Sequence, residues 1–267
     1  MLYQQNLLRI DRTNDNVIIS YTNDEYVSGF RNISSSNNFT ILVRGRTYHI
    51  RCKKTFCKRI GRTNELKSKI AENDFHYFQQ FDLPTTIQKQ AVLAYSGTIY
   101  QKLDASTFKE KDFLYAQQHL RIISTLYGIL RPLDAIKAYR LMFSLKVPDL
   151  GTKDLYQFWQ PIITKALIDD IVADDGILIN LASEEIFKSI DISKVPNHLK
   201  IIHIKFKEHR NDSYKSIQIY SKQYRGNIAR YIVKSRINRP EDIQQFNQDG
   251  YKFNKQLSTL DKYIFTR

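Results

Sequence analysis

The chain has 267 residues and a formal charge of +14, from 41 Lys and Arg against 27 Asp and Glu. Its 42% hydrophobic and 12% aromatic residues can bury a core, which excludes wholesale disorder, and nine Gly with six Pro exclude a collagenous or low-complexity chain. No run of eighteen apolar residues occurs, no basic-then-apolar leader opens the chain, and Cys52 and Cys57 are too few for a disulfide scaffold; the expected setting is a reducing cytoplasm, with no membrane partner.

Residues 1–62 mix Asn, Ser, Thr and Arg with short β-prone runs, Asn16–Tyr21 and Phe39–Val43, around a loop at Ser34–Asn38. The basic run Arg51–Arg62 can touch phosphates or lie solvated. From Leu66 the pattern changes. Leu66, Ile70, Asn73 and Tyr77 fall at helical spacing, and Leu83-Pro84 marks a stop. Thr86–Tyr95 is a second short helical pattern. Phe113, Ala116, Leu120, Ile123 and Tyr127 form a stripe that predicts a long helix over Lys109–Tyr127. Gly128 then acts as its stop and Arg131–Asp134 as a turn.

Tyr139–Val147 alternates as a strand does. Asp154–Val172 reads as a helix, and Ile177–Leu181, almost wholly apolar, as a central strand. Lys200–Lys207 and Lys215–Tyr220, separated by 208–213, predict a hairpin. Gly226–Ile237 is a basic helix, and Tyr251–Asn254 and Tyr263–Phe265 read as short strands. These elements predict an α+β protein, a single mixed β-sheet with packed helices.

Several ordered motifs carry a resemblance. They begin with Ala116-Gln117-Gln118-His119-Leu120-Arg121 and with Ser124 to Asp134, which holds Leu126-Tyr127-Gly128 and Leu130-Arg131-Pro132-Leu133-Asp134. Tyr139-Arg140-Leu141, Lys153 to Trp159, and Asn180-Leu181-Ala182-Ser183 with Phe187-Lys188 follow. Tyr224-Arg225-Gly226 to Tyr231, and Phe246 to Phe253, close the series. From about Leu66 to Arg267 the chain resembles the YaaA family of bacterial peroxide-stress-response proteins. The resemblance implies a fold with a helix–hairpin–helix-like element and binding to double-stranded or distorted DNA. It also implies a role in limiting oxidative damage linked to free intracellular iron; it brings no cofactor, catalytic step or obligate protein partner. Three departures stand out. The family's opening Ile-Ser-Pro-Ala-Lys motif is missing, Met142-Phe143 stands where Glu-Met is usual, and Thr125 replaces a glycine.

The charge excess lies at the ends. Residues 1–66 hold 11 basic and 5 acidic side chains, residues 67–199 hold 15 and 16, and residues 200–267 hold 15 and 6. Lys222, Arg225, Arg230, Lys234, Arg236 and Arg239 lie in a stretch without an acidic residue. Lys222, Arg225, Arg230, Lys234 and Arg236 are therefore the candidate nucleic-acid contacts, the alternative being a solvated helix face.

A candidate pocket draws on His119, Arg121, Arg131, Asn180, Ser183 and Lys188. It would serve an enzyme acting on a small phosphorylated or nucleotide-like substrate. His119 also reads as a satisfied helix histidine, Arg121 and Arg131 suit buried pairs as well as phosphates, and Ser183 reads as a helix cap. The six histidines show no metal-ligand spacing, His49 with Cys52 and Cys57 makes only a loose cluster, and no metal is expected.

The expected division is a divergent N-terminal segment at 1–62, frame-shifted or disordered, and a YaaA-like domain at 63–267. A permitted codon choice for Met1–Leu8, read two nucleotides later, spells Val-Ile-Ser-Ala-Lys-Ser-Leu. The nucleotide sequence checks this: the frame-shift account expects an alternate frame encoding that motif, and a gene whose alternate frames lack it contradicts the account.

Overall fold

Ile177-Leu178-Ile179 offers apolar side chains in both directions, so it must lie inside a sheet covered on both faces. The computed structural model describes Phe81, Leu83 and residues 85–267, with the backbone of three short strands before them: β1 (Ile18–Ser20), β2 (Asn38–Val43) and β3 (Arg46–Arg51). The helix expected over Leu66–Tyr77, Pro84, both cysteines and the basic run beyond Arg51 lie outside the described residues.

The remaining strands are β4 (Lys89–Gln90), β5 (Leu120–Ser124), β6 (Gly128–Leu130), β7 (Ala135–Ile136), β8 (Ile177–Asn180), β9 (Lys200–Arg210), β10 (Ser213–Lys215), β11 (Lys252–Phe253) and β12 (Lys262–Thr266). Helices are α1 (Ala91–Ala94), α2 (Thr98–Leu103), α3 (Glu110–His119), α4 (Leu155–Val172), α5 (Glu184–Phe187) and α6 (Gln218–Ser235). The main sheet runs β11-β12-β9-β8-β1-β5-β6, with β10 also on β9. The pairs β8–β9 and β9–β12 are parallel and the others antiparallel. The α+β class with a mixed sheet is as expected, although β2–β3 and β4–β7 pair apart from it as two-stranded sheets, and no helix among the described residues is long and apolar enough to cross a membrane.

Register fixes the layers. Arg121, Asn180, His203 and Lys262 point to one face, because β1 backbone positions link Arg121 to Asn180, which pairs with His203, which pairs with Lys262. On that face Arg121 meets Asp170 of α4, and Phe187 of α5 packs edge-on to His203. Ile202, Ile204, Phe206 and Glu208 point the other way, where Tyr224 of α6 lies 5.5 Å from the Phe206 ring. Helix α6 in turn packs against α2 through Gly226: a Cβ there would meet the Ile99 carbonyl oxygen and sit 2.7 Å from Lys102 Cβ.

The helix predicted over Lys109–Tyr127 is corrected. It ends at His119, and Leu120–Ser124 continues as β5 with all five residues buried. The apolar stripe runs on across the boundary, but a chain segment buried on every side carries no polar helix face, and Ile122-Ile123 suits a strand. Gly128 is consequently not a helix stop. It begins β6 with φ +77°, where a Cβ would come 2.6 Å from the Trp159 ring.

Tyr139–Val147 is also corrected. Tyr139, Leu141, Phe143 and Val147 are buried while Met142, Ser144 and Lys146 are exposed, so the alternation is real. Within the described residues, however, the segment forms no ladder strand: it turns at Phe143-Ser144, where Leu145 N donates to Met142 O, and it meets the start of α4 through a single bridge of Lys146 with Asp154, with side chains adding to the hold. The Tyr139 hydroxyl lies 2.6 Å from both Tyr95 and Ser124 hydroxyls, Thr125 Oγ1 donates to Leu141 O, and Phe143 stacks on Tyr156. The helical pattern at Thr86–Tyr95 shrinks to α1, because Lys89-Gln90 pairs with β7.

Two expectations hold with adjusted ends and a third only in part. Helix α4 starts after Asp154, whose carboxylate accepts from Gln157 N. A hairpin forms, turning at Asn211-Asp212, both with positive φ, as a two-residue loop requires, but its second strand is corrected from Lys215–Tyr220 to Ser213–Lys215, because Gln218–Tyr220 begins α6. The C-terminal strands appear as β11 and β12. Gly226→Ala is expected to destabilise the protein by about 1–3 kcal/mol through the α2–α6 clash, measured as a lower urea midpoint with far-UV circular dichroism retained before the transition.

Candidate functional site

Strand β8 stops at Asn180, whereas its neighbour β9 runs seven positions past the paired His203, to Arg210. The chain leaves the sheet through Leu181-Ala182-Ser183 toward one face, and Ser216 to Arg225 crosses the other. Beside the overhanging part of β9 this leaves a concavity at the carboxyl end of a strand, where open α/β sheets bind ligands.

Asn180 organises the near side. Its Oδ1 accepts from Ala182 N at 2.9 Å, which fixes the amide so that Nδ2 donates to His203 Nδ1 at 2.9 Å. The imidazole proton therefore sits on Nε2. Burial, with the Lys205 and Lys262 ammonium groups nearby, holds the His203 pKa below its usual value despite Asp261. His203 is a neutral hydrogen-bond donor here.

Two adjoining cavities share Glu184 and Lys205, which pair at 2.9 Å. One, of about 310 Å³, gathers Ser183, Ser221, Lys222 and Arg225. The other, of about 470 Å³, holds Asn180, His203, Asp261 and Lys262. Glu184 is held below the usual carboxylate range, chiefly by its hydrogen bond to Lys205 and that residue's charge, with Arg225 and Lys188 contributing. The smaller cavity thus sets Lys205, Lys222 and Arg225 against Glu184 and Glu185.

Of the five candidate nucleic-acid contacts, the structure brings Lys222 and Arg225 to this cleft. The other three turn toward the protein. Arg230 Nη1 donates to Leu103 O and Asp104 O at 3.0 and 2.9 Å, closing the end of α2. Lys234 Nζ donates to Thr107 O and to Asp112 Oδ2, and Arg236 Nη2 to Asp112 Oδ1. Asp112 is only 2% exposed. Its partners come from the end of α6 and from the start of its own helix, since Lys109 N also donates to Oδ2. The helix that reads as one basic face is thus divided: its first half lines the cleft, and its second half fastens α6 to α2 and α3.

The candidate pocket is divided as well. Asn180 and Ser183 reach the cleft, Ser183 capping α5 through Ile186 N. Lys188 is exposed beside it, and its carbonyl accepts from Gln160 Nε2. His119 is buried and stacked on Tyr115 at 4.0 Å. Arg121 is 3% exposed, pairs with Asp170 at 2.9 Å and donates to the carbonyls of Gln117, Gln118 and Leu120. Arg131 sits in the turn, where its N–H donates to the Asp134 carboxylate. Among the described residues no group of three His, Cys, Asp or Glu side chains could hold a metal ion.

Sequence reasoning missed His203, Lys205 and Lys262. The signal was present: in Lys200–Lys207 every second residue from His203 is His or Lys, which places His203, Lys205 and Lys207 on one face of the strand.

The Asp112 pairs make a pH prediction. The Lys234 hydrogen bond and Lys109 N–H outweigh burial and hold the carboxyl below its usual value. A depressed folded pKa gives stability that is present above the unfolded pKa of about 3.9 and lost as pH falls through the folded one. Asp112→Asn is expected to cost about 1–3 kcal/mol at pH 7. Urea unfolding over a series of pH values should show the gap from the parent chain kept down to about pH 3.9 and narrowing as pH falls further, through the folded pKa.

The peroxide stress protein YaaA family model matches residues 28–257, so its match takes in part of the stretch expected to be divergent. A UPF0246 protein of Parabacteroides distasonis is 37% identical over 206 residues, which is 77% of this chain and 81% of that protein. One from Bacteroides fragilis is 37% identical over 207 residues, 78% and 80% of the two chains. One from Bacteroides thetaiotaomicron is 37% identical over 206 residues, 77% and 80%. With a match over most of its length and relatives at this identity, the chain belongs to the YaaA (UPF0246) family of peroxide stress proteins.

Proposed function

We propose that this peroxide stress protein works in the cytoplasm by binding duplex or distorted DNA through its phosphates, and so limits oxidative damage linked to free intracellular iron. The observation that supports DNA binding is the convergence of Lys205, Lys222 and Arg225 on one concave site. Cations on a cleft wall neutralise phosphates and release counterions, which gives affinity without reading bases. Exposed Lys215 and Lys262 extend positive charge beyond it. The helix–hairpin–helix-like element belongs to this same proposal as a family expectation. Arg230, Lys234 and Arg236 enter it differently from the sequence reading: they hold α6 in place, and their loss weakens binding through the fold.

A second reading, an enzyme acting on a small phosphorylated or nucleotide-like substrate, draws support from one arrangement. Asn180 fixes the tautomer of His203 at the floor of the larger cavity, as a site that polarises a bound oxygen requires. Arg121, committed to Asp170, takes no part in it.

A salt titration of duplex binding tests the DNA reading. Lys222→Glu with Arg225→Glu, in a variant that retains its circular dichroism, is expected to weaken binding at least tenfold and lower the slope of log K against log salt by about 2. Unchanged affinity and slope in that folded variant would overturn the assignment.

A further inference from the structure

Resting on the same cleft as the proposed DNA contact, we infer that the smaller cavity is a phosphate-monoester subsite. It would take the terminal phosphate of a DNA strand or of a small phosphorylated molecule, rather than a link of continuous backbone.

Size is the first argument. At about 310 Å³ the cavity is near the lower end for small-molecule sites. It has room for a phosphate and the group attached to it.

Charge is the second. Lys205, Lys222 and Arg225 converge on the space, and among the described residues Lys222, partly buried, has no carboxylate partner. A monoester carries about −1.5 to −2 at neutral pH, against the single charge of a backbone diester, so it answers this set of cations better. Glu184 and Glu185 stand on the same lining. Backbone laid across the cleft would press its flanking phosphates toward these carboxylates, whereas a strand end enters alone. The Glu184 side chain is 85% exposed, so it can leave Lys205 when an anion arrives.

Donor geometry is the third. Ile217 precedes α6 and has no side chain able to cap it, so the first-turn N–H groups of this 18-residue helix lack a side-chain cap, and Gln218 of that turn lines the cavity with Lys222 and Arg225. Ser216, by contrast, is occupied, its Oγ donating to Phe206 O.

The adjoining cavity supplies the remainder of the ligand site. Asn180, the Nε2–H of His203 and the Asp261 carboxylate are suited to the hydroxyl groups of a sugar carried by that phosphate. The two cavities together fit a sugar phosphate unit, with the phosphate toward α6 and the sugar toward β12.

The test measures binding of the full chain to two duplexes of one sequence, with 5′-phosphate or 5′-hydroxyl ends, and to thymidine 5′-monophosphate and inorganic phosphate by calorimetry. The inference expects at least tenfold tighter binding of the phosphorylated duplex, of the monophosphate over thymidine, or of both, lost in Lys222→Gln and kept in Lys215→Gln. End preference without monophosphate binding supports a strand end as the source, and monophosphate binding without end preference supports a small molecule. Equal affinity for the two duplexes, with no binding of either phosphate, overturns the subsite while leaving DNA binding in place. Failure of both duplexes with monophosphate binding intact overturns the DNA reading and leaves the subsite standing. Arg225→Lys, expected to keep part of the affinity that Arg225→Gln loses, separates a contact to phosphate from a loss of fold.

Discussion

The difference in length between two parallel neighbours, β8 and β9, is the constraint on which the rest depends. Because β8 ends at Asn180 and β9 continues to Arg210, the sheet has an open edge bounded by chain that departs to opposite faces. A strand edge with nothing against it carries unpaired N–H and C=O groups. Here β10 covers part of that edge, and the cleft occupies the part between β10 and the end of β8.

Keeping that edge in shape falls to α6, which lies on one face of the sheet. Two groups of interactions hold it. Near its first half, Glu208 is bound by Arg210, Arg267 and the Tyr251 hydroxyl, and Arg267 lies over the rings of Tyr220 and Tyr251. At its second half, Asp112 gathers Lys234 and Arg236 while Arg230 closes α2. Buried carboxylates of this kind demand their partners, since a lone one carries a large desolvation cost. The basic residues of α6 therefore have two employments: those facing α2 and α3 keep the helix in register, and Lys222, on the cleft lining, is available to an anion.

This division explains what was legible in the sequence. Ile177–Asn180, α4 and the hairpin follow from period and turn chemistry alone, because their burial is simple. Leu120–Ser124 was not legible as a strand: its stripe is continuous with that of α3, and only the sheet neighbours on both sides decide between the two periods. Tyr139–Val147 alternates yet pairs with no described strand along its length and turns at Phe143-Ser144, since alternation reports which side chains face the core and not a ladder. The helix face was read correctly as basic, but charge alone cannot say which cations meet Asp112, a residue more than a hundred positions away. Lys205 and His203 were hidden for the converse reason: they lie on a strand, and only register sets them opposite Asn180 and beside Lys222.

The central claim is that an anion, DNA phosphate above all, enters where the first half of α6 faces the turn after β8. Hydrogen–deuterium exchange of the full chain, with and without a 5′-phosphorylated duplex, tests it most directly. The account predicts added protection over Ser183–Glu185 and Ser216–Arg225, with Arg230–Arg236 unchanged because its cations are already committed. Protection confined to Arg230–Arg236, with none at the other two segments, would contradict it.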